Sequence, residues 1–386
     1  MIWLTYLILA IKINKTIPGL SKKSDKKFLK KPPLVSIIIP ARNEETRIKK
    51  CIETIKSQTY PNFEVFIVDD FSIDKTVEVV KKIIDKDKRF KIIELKLNKK
   101  EKPSGWMGKT YALQEGSKHA KGEWLFFIDA DTYHEPELIQ RAVEYGVKNK
   151  IDLLSLMPLN ICESFWEKVI QPIPSELLIL PLWKVNDPKS KIALAFGPFI
   201  QIRNSVFIKI RGYTTIKEMI ADDYNLAKLV KKAGYKIGLI KAQSLMKVKM
   251  YSGLSDLWAG WGKHVFGILQ NPSFKTKPKK TLVILTYLFG IFETFILPFL
   301  AFIVMLILGL ILLFPQWQYF LLFAFATWIL ATIAQFYAMK RFYIGDQKYA
   351  PLTFLGGFVF FGTFLNSAIK ILFRKGVTWK GRKINK

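Results

Sequence analysis

Acidic side chains follow three of the β-strands that the sequence predicts. The first strand ends in Ile39-Pro40-Ala41-Arg42-Asn43-Glu44, the second in Asp69-Asp70 and the fourth in Asp129-Ala130-Asp131. Because the carboxyl ends of parallel strands meet at one edge of a sheet, we expect these side chains to lie together. Like charges at one edge repel each other, so the pattern indicates a cation or a hydrogen-bonding ligand among them.

The pair Asp129 and Asp131 has the form that Mg²⁺ or Mn²⁺ needs beside a diphosphate, since these ions take a few carboxylate oxygens and leave the other positions to phosphate and water. Asp69 and Asp70 can accept hydrogen bonds from a uracil edge and a ribose hydroxyl. Simpler roles stay open for Asp129 and Asp70 as turn caps, and Asp74 occupies the place of a helix N-cap.

The elements that must position these residues alternate along the chain. Hydrophobic patterning predicts strands at 34–39, 64–68, 90–95, 124–128 and 152–156. It predicts helices at 45–57, 74–85, 109–120 and 222–233, and the apolar, aromatic stretch 254–269 is expected to lie along a membrane surface. Strands separated by helices indicate an α/β fold with a mostly parallel sheet covered on both faces.

Four segments resemble the signatures of the family 2 inverting glycosyltransferases. They are IIIPARNE (37–44), IVDDFSIDKT (67–76), KGEWLFFIDADT (121–132) and ADDYNLAKLVKKAG (221–234), in the family's order. The resemblance implies a Rossmann-like GT-A fold, a nucleotide-sugar donor and a divalent metal, Mg²⁺ or Mn²⁺. We expect the donor to be a UDP-sugar, because Asp69 and Asp70 suit a uracil edge and a ribose hydroxyl.

By the same resemblance, Asp70 and the turn Pro40, Ala41, Arg42, Asn43 and Glu44 contact the nucleoside, while Asp129, Ala130 and Asp131 meet the diphosphate and metal. Asp223, at the second position of the family's acidic pair, is implied as the general base, with Asp222 as the alternative. Inverting transfer needs a carboxylate that takes the proton of the acceptor hydroxyl. Acids at a helix start also simply favour the helix dipole.

Further segments resemble one membrane-bound subgroup, which contains the hopanoid-associated glycosyltransferases and the carotenoid-acid glycosyltransferase of the staphyloxanthin pathway. The segments that carry this resemblance are the loop Gly105–Lys109, the segment with Trp258, Trp261, Lys263 and His264, and the tail around Trp379, Lys380 and Arg382. Lys109 is implied near a donor phosphate, although a solvated lysine is an alternative. The segment from 258 and the tail are implied on the acceptor or gating side; the two tryptophans also suit a headgroup-level belt.

Gly197-Pro198-Phe199, Arg203 and Arg211-Gly212-Tyr213 resemble an acceptor-side segment of the family. The QxxRW motif of processive synthases is absent from the sequence, which argues against a long-polymer product.

Charge and cysteine content exclude several classes of protein. The formal net charge is +29 although half of the residues are hydrophobic. The basic residues form no zinc finger or basic zipper, and the Lys-rich stretches at 22–31 and 275–280 flank apolar segments. We therefore expect anionic lipid, not nucleic acid, as the partner of this charge. Two cysteines, Cys51 and Cys162, build no disulfide framework, which indicates a reducing compartment.

Apolar segments at 282–314, 318–338 and 352–373 are long enough to cross a bilayer. The first contains Pro298 and is expected as an interfacial helix broken there, or as a tight hairpin. The predicted division is 1–33 apolar anchor and Lys-rich linker, 34–250 GT-A domain, 251–280 interfacial segment, 281–373 transmembrane helices and 374–386 basic tail. The positive-inside rule places the GT-A domain in the cytoplasm, on a multi-pass protein of the cell membrane. It also places both flanks of the last span, 352–373, in the cytoplasm, which a single crossing cannot satisfy unless that segment is re-entrant.

The sequence thus predicts a metal-dependent enzyme that transfers a sugar from a nucleotide-sugar to a lipid or polyprenoid acceptor. A polyprenyl-phosphate sugar synthase shares every donor motif and is the first alternative. A processive polysaccharide synthase and a non-catalytic, membrane-anchored nucleotide-sugar binding protein are the others.

Overall fold

The computed structural model describes residues 2–22, 31–95, 103–174, 182–270, 277–312, 315–344, 347–373 and 375–384. The chain divides into two compact units. The helical unit comprises Met1–Thr16, Ile161–Trp183 and Tyr251–Lys386, and the sheet unit comprises Ile17–Asn160 and Lys184–Met250. The predicted division into functional domains stays a prediction.

The strands are β1 (Val35–Ala41), β2 (Phe63–Asp69), β3 (Phe90–Glu94), β4 (Trp124–Ile128), β5 (Thr132–His134), β6 (Leu153–Met157), β7 (Leu159–Ile161), β8 (Phe199–Arg203), β9 (Ile237–Lys241), β10 (Met246–Val248), β11 (Tyr343–Ile344), β12 (Val377–Trp379) and β13 (Arg382–Ile384). The α-helices are α1 (Ile2–Thr16), α2 (Ile48–Lys56), α3 (Thr76–Ile84), α4 (Gly108–Ser117), α5 (Leu138–Lys148), α6 (Phe165–Ile170), α7 (Asn204–Lys209), α8 (Asp222–Lys232), α9 (Leu254–Leu269), α10 (Lys277–Ile291), α11 (Leu297–Leu312), α12 (Trp317–Phe342) and α13 (Thr353–Leu372).

The sheet unit is built on a seven-stranded sheet in the order β3-β2-β1-β4-β8-β6-β9. Strands β1 to β4 run parallel to their neighbours, as do β6 and β9. Strand β8 alone is antiparallel, to both β4 and β6. The predicted mostly parallel α/β sheet is confirmed.

Helices bury both faces of this sheet, which explains the unbroken apolar runs of its central strands. In β1, Ile37, Ile38 and Ile39 are all fully buried. Ile37 and Ile39 join the core cluster that includes Ile52 of α2. Ile38 faces the other way, where Gly116 of α4 lies so close that a Cβ there would be 2.6 Å from the isoleucine.

A small second layer holds the strand that follows Asp131. Strand β5 pairs antiparallel with β10, and β10 pairs parallel with β7. The backbone N–H of Lys249 donates to the carbonyl of Asp131, at 3.1 Å. The turn between β4 and β5 is therefore held at both ends by strands.

Three helical stretches of the helical unit are long and apolar enough to cross a membrane: Pro278–Ile311, Trp317–Lys340 and Gln347–Leu372. They match the predicted spans, although residues 313 and 314 lie outside the described residues. Neither a break at Pro298 nor a hairpin is found in the first span, so that prediction is wrong. The helix continues instead through a π-helical turn, Phe292–Ile296, whose wider ring accommodates the backbone just before the proline.

Helix α1 also belongs to the helical unit, where Trp3, Tyr6, Ala10 and Ile13 are buried and Leu4, Ile8 and Ile11 are exposed. The ring of Trp3 meets that of Phe295 edge-on, at 5.8 Å. Residues 23–30 of the first Lys-rich stretch and 275–276 of the second lie outside the described residues, and the rest of the second begins α10.

Candidate active site

The carboxyl ends of β1, β2 and β4 lie side by side at one edge of the sheet. Ala41, the last residue of β1, is in register with Asp69, the last of β2. The backbone N–H of Asp70 donates to the carbonyl of Ala41 at 2.8 Å. The structure therefore brings the first two predicted strand-end motifs together.

The turn after β1 is tied to the turn after β2 by side chains. The guanidinium of Arg42 donates to the carbonyls of Asp70 (2.6 Å) and Phe71 (3.1 Å). Asn43, in the left-handed region at φ 51°, accepts from the N–H of Ile73 at 3.0 Å through its side chain. These contacts assign both side chains to holding the edge in shape; contact with a nucleoside stays a prediction for them.

Pro40 is half-buried and Ala41 buried within β1, so both present mainly backbone to the edge. Glu44 is buried, its carbonyl accepts from the N–H groups of Arg47 and Ile48, and its N–H donates to Thr76. Glu44 thus leads the chain into α2.

Asp69 and Asp70 are both buried at the end of β2. Asp69 Oδ2 accepts from the N–H of Ser72 at 3.2 Å, whereas Oδ1 meets no hydrogen-bond partner within the described residues. Burial raises the pKa of Asp69, while the hydrogen bonds from Ser72 oppose the change. A buried acceptor oxygen without a donor suits a ligand that brings its own N–H or O–H.

Asp74 was predicted as an N-cap, and it acts one residue earlier than the cap position. Its Oδ1 accepts from the N–H of Thr76 at 3.0 Å and its Oδ2 from the N–H of Glu45 at 3.2 Å. These bonds hold the pKa of Asp74 below its usual value despite its partial burial.

Lys109 and three carboxylates form a cluster at the end of β4. The ammonium lies 2.8 Å from Asp129 Oδ1 and 3.5 Å from Asp222 Oδ2. A Cβ placed on Gly197 would lie 3.1 Å from Lys109 Nζ, 3.3 Å from Asp223 Oδ2 and 3.5 Å from Asp129 Oδ2. A side chain at 197 would therefore fill the space on which the predicted diphosphate-binding and base residues converge.

Burial alone would lower the pKa of Lys109, but the carboxylates of Asp129, Asp222 and Asp223 outweigh it and the pKa lies well above its usual value. The lysine is thus a permanent cation. It projects from the first turn of α4, whose start is held by Lys217: the carbonyl of Lys217 accepts from Met107 N–H and from the Thr110 hydroxyl.

Asp223 is held by two backbone donors at the start of α8. The N–H of Gly197 lies 2.9 Å from Oδ2 and that of Tyr224 lies 2.7 Å from Oδ1. Burial and then the neighbouring charge of Asp222 raise the pKa of Asp223 to about 6, against the opposing effect of Lys109 and the two N–H groups. A carboxylate with a pKa near neutrality is a suitable proton acceptor.

Tyr213 lies under this cluster and was not singled out as a site residue. Its side chain is fully buried against Phe127 and Phe207, and its hydroxyl meets no hydrogen-bond partner within the described residues. Burial raises the pKa of Tyr213 well above its usual value, and the charge of Asp222 is the next largest cause. The Arg211-Gly212-Tyr213 motif drew attention to the segment, but the direction of the hydroxyl is a tertiary property.

Arg203, grouped with the acceptor-side motifs, is not brought to this edge. It pairs in register with Trp124, at the opposite end of β4 from Asp129, and its guanidinium stacks on that ring. Its nearest acids are Asp152 and Glu123.

The carboxylate oxygens of the Asp129–Asp131 turn are the kind of ligand that a hard divalent ion prefers. Asp129 and Asp131 flank the buried Ala130, and both carboxylates are half-buried. Within the described residues, no group of three or more His, Cys, Asp or Glu side chains could hold a metal ion by itself. One or two carboxylates are what Mg²⁺ or Mn²⁺ takes from a protein when phosphates supply further oxygens, so the pair fits a cation that arrives with a diphosphate.

The residues predicted for the acceptor or gating side in the segment from 258 and in the tail belong to the helical unit. Trp261 donates from Nε1 to Gln171 at 2.6 Å, and Trp258 is about a third exposed and packs on Gly362. Lys263 is half-buried on the same helix, α9.

The tail forms a β-hairpin of β12 and β13. Its two turn residues, Lys380 and Gly381, have φ of 45° and 73°, as a type I′ turn requires. Trp379 ends β12 and Arg382 begins β13. Together with the start of α9, the hairpin lines an open surface pocket whose residues include Ser252, Ser255, Asp256, Thr378 and Lys380.

Comparison with known proteins shows what part of the chain is similar to. Residues 36–211 match the family described as Glycosyl transferase family 2. A 4,4'-diaponeurosporenoate glycosyltransferase of Staphylococcus haemolyticus (strain JCSC1435) is 25% identical over 265 residues, 68% of this chain and 68% of the relative. That of Staphylococcus aureus (strain USA300) is 25% identical over 264 residues, 66% of either chain. The alignments thus span about two thirds of each relative.

Among solved structures, the mannosyltransferase PcManGT from Pyrobaculum calidifontis, in complex with GDP-Man and Mn²⁺, superposes with a TM-score of 0.55 at 17% identity. The superposition covers 96% of this chain and 94% of that one. At this identity the likeness concerns the fold, and it supports the GT-A architecture.

Proposed function

We propose that the chain, whose residues 36–211 match Glycosyl transferase family 2, is a glycosyltransferase that transfers a sugar, with inversion, from a nucleotide-sugar to a lipid or polyprenoid acceptor at a membrane. The observation that carries the proposal is the cluster at the end of β4. There the proposed base Asp223 lies beside a cation, Lys109, and the proposed diphosphate ligand Asp129.

The donor is proposed to lie along the edge formed by β1, β2 and β4. The base of the nucleotide meets the buried acceptors Asp69 and Asp70, and its diphosphate meets Lys109 and the Asp129–Asp131 turn. We expect a UDP-sugar, since carboxylate acceptors match the N–H of uracil. The GDP-Man and Mn²⁺ bound by PcManGT support a nucleotide-sugar and a divalent ion.

In the transfer step, the acceptor oxygen bonds to the anomeric carbon as the bond from that carbon to the diphosphate oxygen breaks. The acceptor proton passes to a carboxylate oxygen of Asp223, with Asp222 as the alternative base. Lys109 offsets the negative charge that grows on the departing nucleoside diphosphate. A divalent ion held by Asp129 and Asp131 would add to this neutralisation.

The state of the acceptor decides how much the base matters. A hydroxyl must lose its proton during attack, whereas a carboxylate or phosphate is already ionised at neutral pH. The name of the staphylococcal relatives denotes a carboxylate. A general base such as Asp223 is needed only for a hydroxyl acceptor, so a requirement for it distinguishes that acceptor from a carboxylate and from the phosphate of the polyprenyl-phosphate alternative.

The membrane is proposed as the place of the acceptor because three apolar stretches can cross it. We propose a cytoplasmic sheet unit, in keeping with a reducing compartment for Cys51 and Cys162, which are both free. Trp258, Trp261, Lys263, Trp379, Lys380 and Arg382 are proposed to serve the acceptor side or to gate the donor.

The test incubates membranes that contain the protein with a panel of radiolabelled nucleotide-sugars, and identifies the extracted lipid product. Label in a lipid fraction that requires Mg²⁺ or Mn²⁺ supports the proposal. Label in a polymer retained at the origin indicates processive synthesis. No transfer and no donor hydrolysis from any sugar, with donor binding intact, indicates the non-catalytic binding protein.

A further inference from the structure

A buried histidine lies directly behind the Asp129–Asp131 turn. His134, in β5, is 5% exposed. Its Nε2 lies 3.0 Å from the hydroxyl of Thr132, and that hydroxyl lies 2.7 Å from the carbonyl oxygen of Asp129. The ring is thus two hydrogen bonds from the backbone that carries the first acid of the turn.

The other ring nitrogen faces the opposite way. His134 Nδ1 lies 3.1 Å from the hydroxyl of Thr54, which donates to the carbonyl of Cys51 at 2.9 Å. The thiol of Cys51 donates to the Asp129 carbonyl as well, at 3.6 Å. Helix α2 and the turn are therefore joined by one buried network that passes through the ring.

The ring is neutral, since burial lowers the pKa of His134 to about 3, so it has a single N–H. Each threonine hydroxyl also has one proton and two acceptors within reach. With the proton on Nε2, the ring donates to Thr132, whose own proton is then free to donate to Asp129. With the proton on Nδ1, Thr132 must divide its proton between the ring and the Asp129 carbonyl. With the proton on Nε2 that division falls instead on Thr54, between the ring and the Cys51 carbonyl, so only the Nε2 form leaves the bond to Asp129 undivided.

We infer that His134 is a positioning residue which, by donating from Nε2 to Thr132, fixes the Asp129–Asp131 turn for the diphosphate-bound cation. The inference rests on the proposed function. Asp129 and Asp131 sit on a two-strand connection whose carboxylates are only half-buried, so their directions depend on the backbone beneath them. The hydrogen bonds that run from His134 through the Thr132 hydroxyl to the Asp129 carbonyl hold that backbone without occupying either carboxylate.

Packing alone does not account for the histidine. An apolar side chain of similar size would fill the same space, but the hydroxyls of Thr54 and Thr132 would each lose a ring nitrogen as hydrogen-bond partner. The two ring nitrogens serve different ends of the network, which provides a test that distinguishes positioning from filling.

The experiment compares two amides that each imitate one ring nitrogen. In H134Q the amide reaches about as far as Nε2 and can donate to Thr132, whereas in H134N it reaches only the place of Nδ1. T132V removes the relay hydroxyl, and T54V is the matched control on the Nδ1 side. Each full-length protein is purified in nanodiscs, and bound Mn²⁺ is measured by electron paramagnetic resonance with UDP or GDP, alongside kcat and the melting temperature.

The expected result is Mn²⁺ affinity within about 3-fold of wild type for H134Q and T54V. For H134N and T132V it is weakened by about 10- to 100-fold, the usual effect of losing a partner that orients a metal ligand. T54V lowers the melting temperature without this loss. If H134N does not fold, T132V against T54V carries the same comparison.

Equal Mn²⁺ affinities for H134Q and H134N, whether both kept or both lost, overturn the inference. So does a loss in T54V as large as that in T132V, because the network would then act only through stability. The wild-type protein separately tests the proposed function: if it binds no Mn²⁺ with either nucleotide, the metal-dependent function fails, and the inference fails with it.

Discussion

At the scale of single residues, the carboxylates at the sheet edge differ in what holds them. Asp129 and Asp222 face the ammonium of Lys109, whereas Asp223 faces two backbone N–H groups. Burial and the neighbouring charge of Asp222 raise the pKa of Asp223 to about 6. This makes Asp223 the acid suited to taking a proton.

This pKa predicts the acid side of the pH profile. The base must be ionised to accept a proton, so kcat/KM for a hydroxyl acceptor should fall as the pH drops through about 6. D223N should lose about 10²- to 10⁴-fold in kcat while donor affinity is kept. Donor affinity is measured by titration with the nucleoside diphosphate. A D223N enzyme as active as wild type would identify either Asp222 as the base or an acceptor that is already ionised.

A second residue-scale prediction concerns Gln201, which is fully buried in β8 with both amide atoms lacking a hydrogen-bond partner within the described residues. A buried polar group in this state costs about 1–3 kcal/mol. Q201M keeps the shape and removes the polar atoms, so it should raise the melting temperature by roughly 2–4 °C per kcal/mol recovered.

The matched control is Ser155, equally buried but with its hydroxyl accepting from the N–H of Phe196 at 2.7 Å. S155A should lower the melting temperature. A fall in Q201M as well would mean that the amide has a role which the packing does not reveal.

At the scale of elements, the loops at the site are held by contacts between strands and helices distant in sequence. The two turns after β1 and β2 are joined through Arg42 and Asn43, and α4 is anchored at its start by the carbonyl of Lys217. Such contacts place loop residues on rigid supports, which is what a preorganised site requires.

Close packing of α13 on α6 in the helical unit gives a prediction at this scale. A Cβ on Gly356 would overlap the carbonyl of Val169, whereas one on Gly290 in α10 would meet nothing within 4 Å. G356A should therefore lower the melting temperature of the detergent-solubilised protein, because backbone must move to admit the methyl group. G290A should leave it unchanged or raise it slightly, as alanine favours helix. Equal effects of the two substitutions would contradict this account.

At the scale of the whole molecule, the apolar stretches predict how the chain sits in a bilayer. If Pro278–Ile311 and Trp317–Lys340 both cross, the residues before the first and after the second lie on the same face. Cysteines introduced as K280C, at the very start of the first stretch, and as K348C, beyond the end of the second, should react alike with a membrane-impermeant maleimide in sealed vesicles. The native cysteines are both buried, so background labelling should be low.

The tail supplies the distinguishing measurement. T378C should be labelled from the opposite face if Gln347–Leu372 also crosses, and from the same face if that segment re-enters. Protection of K280C together with labelling of K348C would contradict two complete crossings between them.

Local patterns in the sequence determined the elements and their order. Buried strands appear as runs of β-branched residues, and amphipathic helices as a 3.6-residue repeat, so β4 was predicted with the bounds that the structure has and α8 to within one residue. The strand-end acids and the apolar spans were likewise predictable, because strand ends and bilayer length are local properties. The boundary of the π-helical turn was not, since a proline in a long apolar helix can break, kink or widen it.

Only the tertiary structure decided which charges meet. Lys109, Asp129 and Asp222 are far apart in sequence, and their contact depends on how β4, α4 and α8 pack. The same holds for the pKa of Asp223, the buried hydroxyl of Tyr213 and the network through His134. Each depends on burial and on partners from other elements, and neither quantity is encoded in a local pattern.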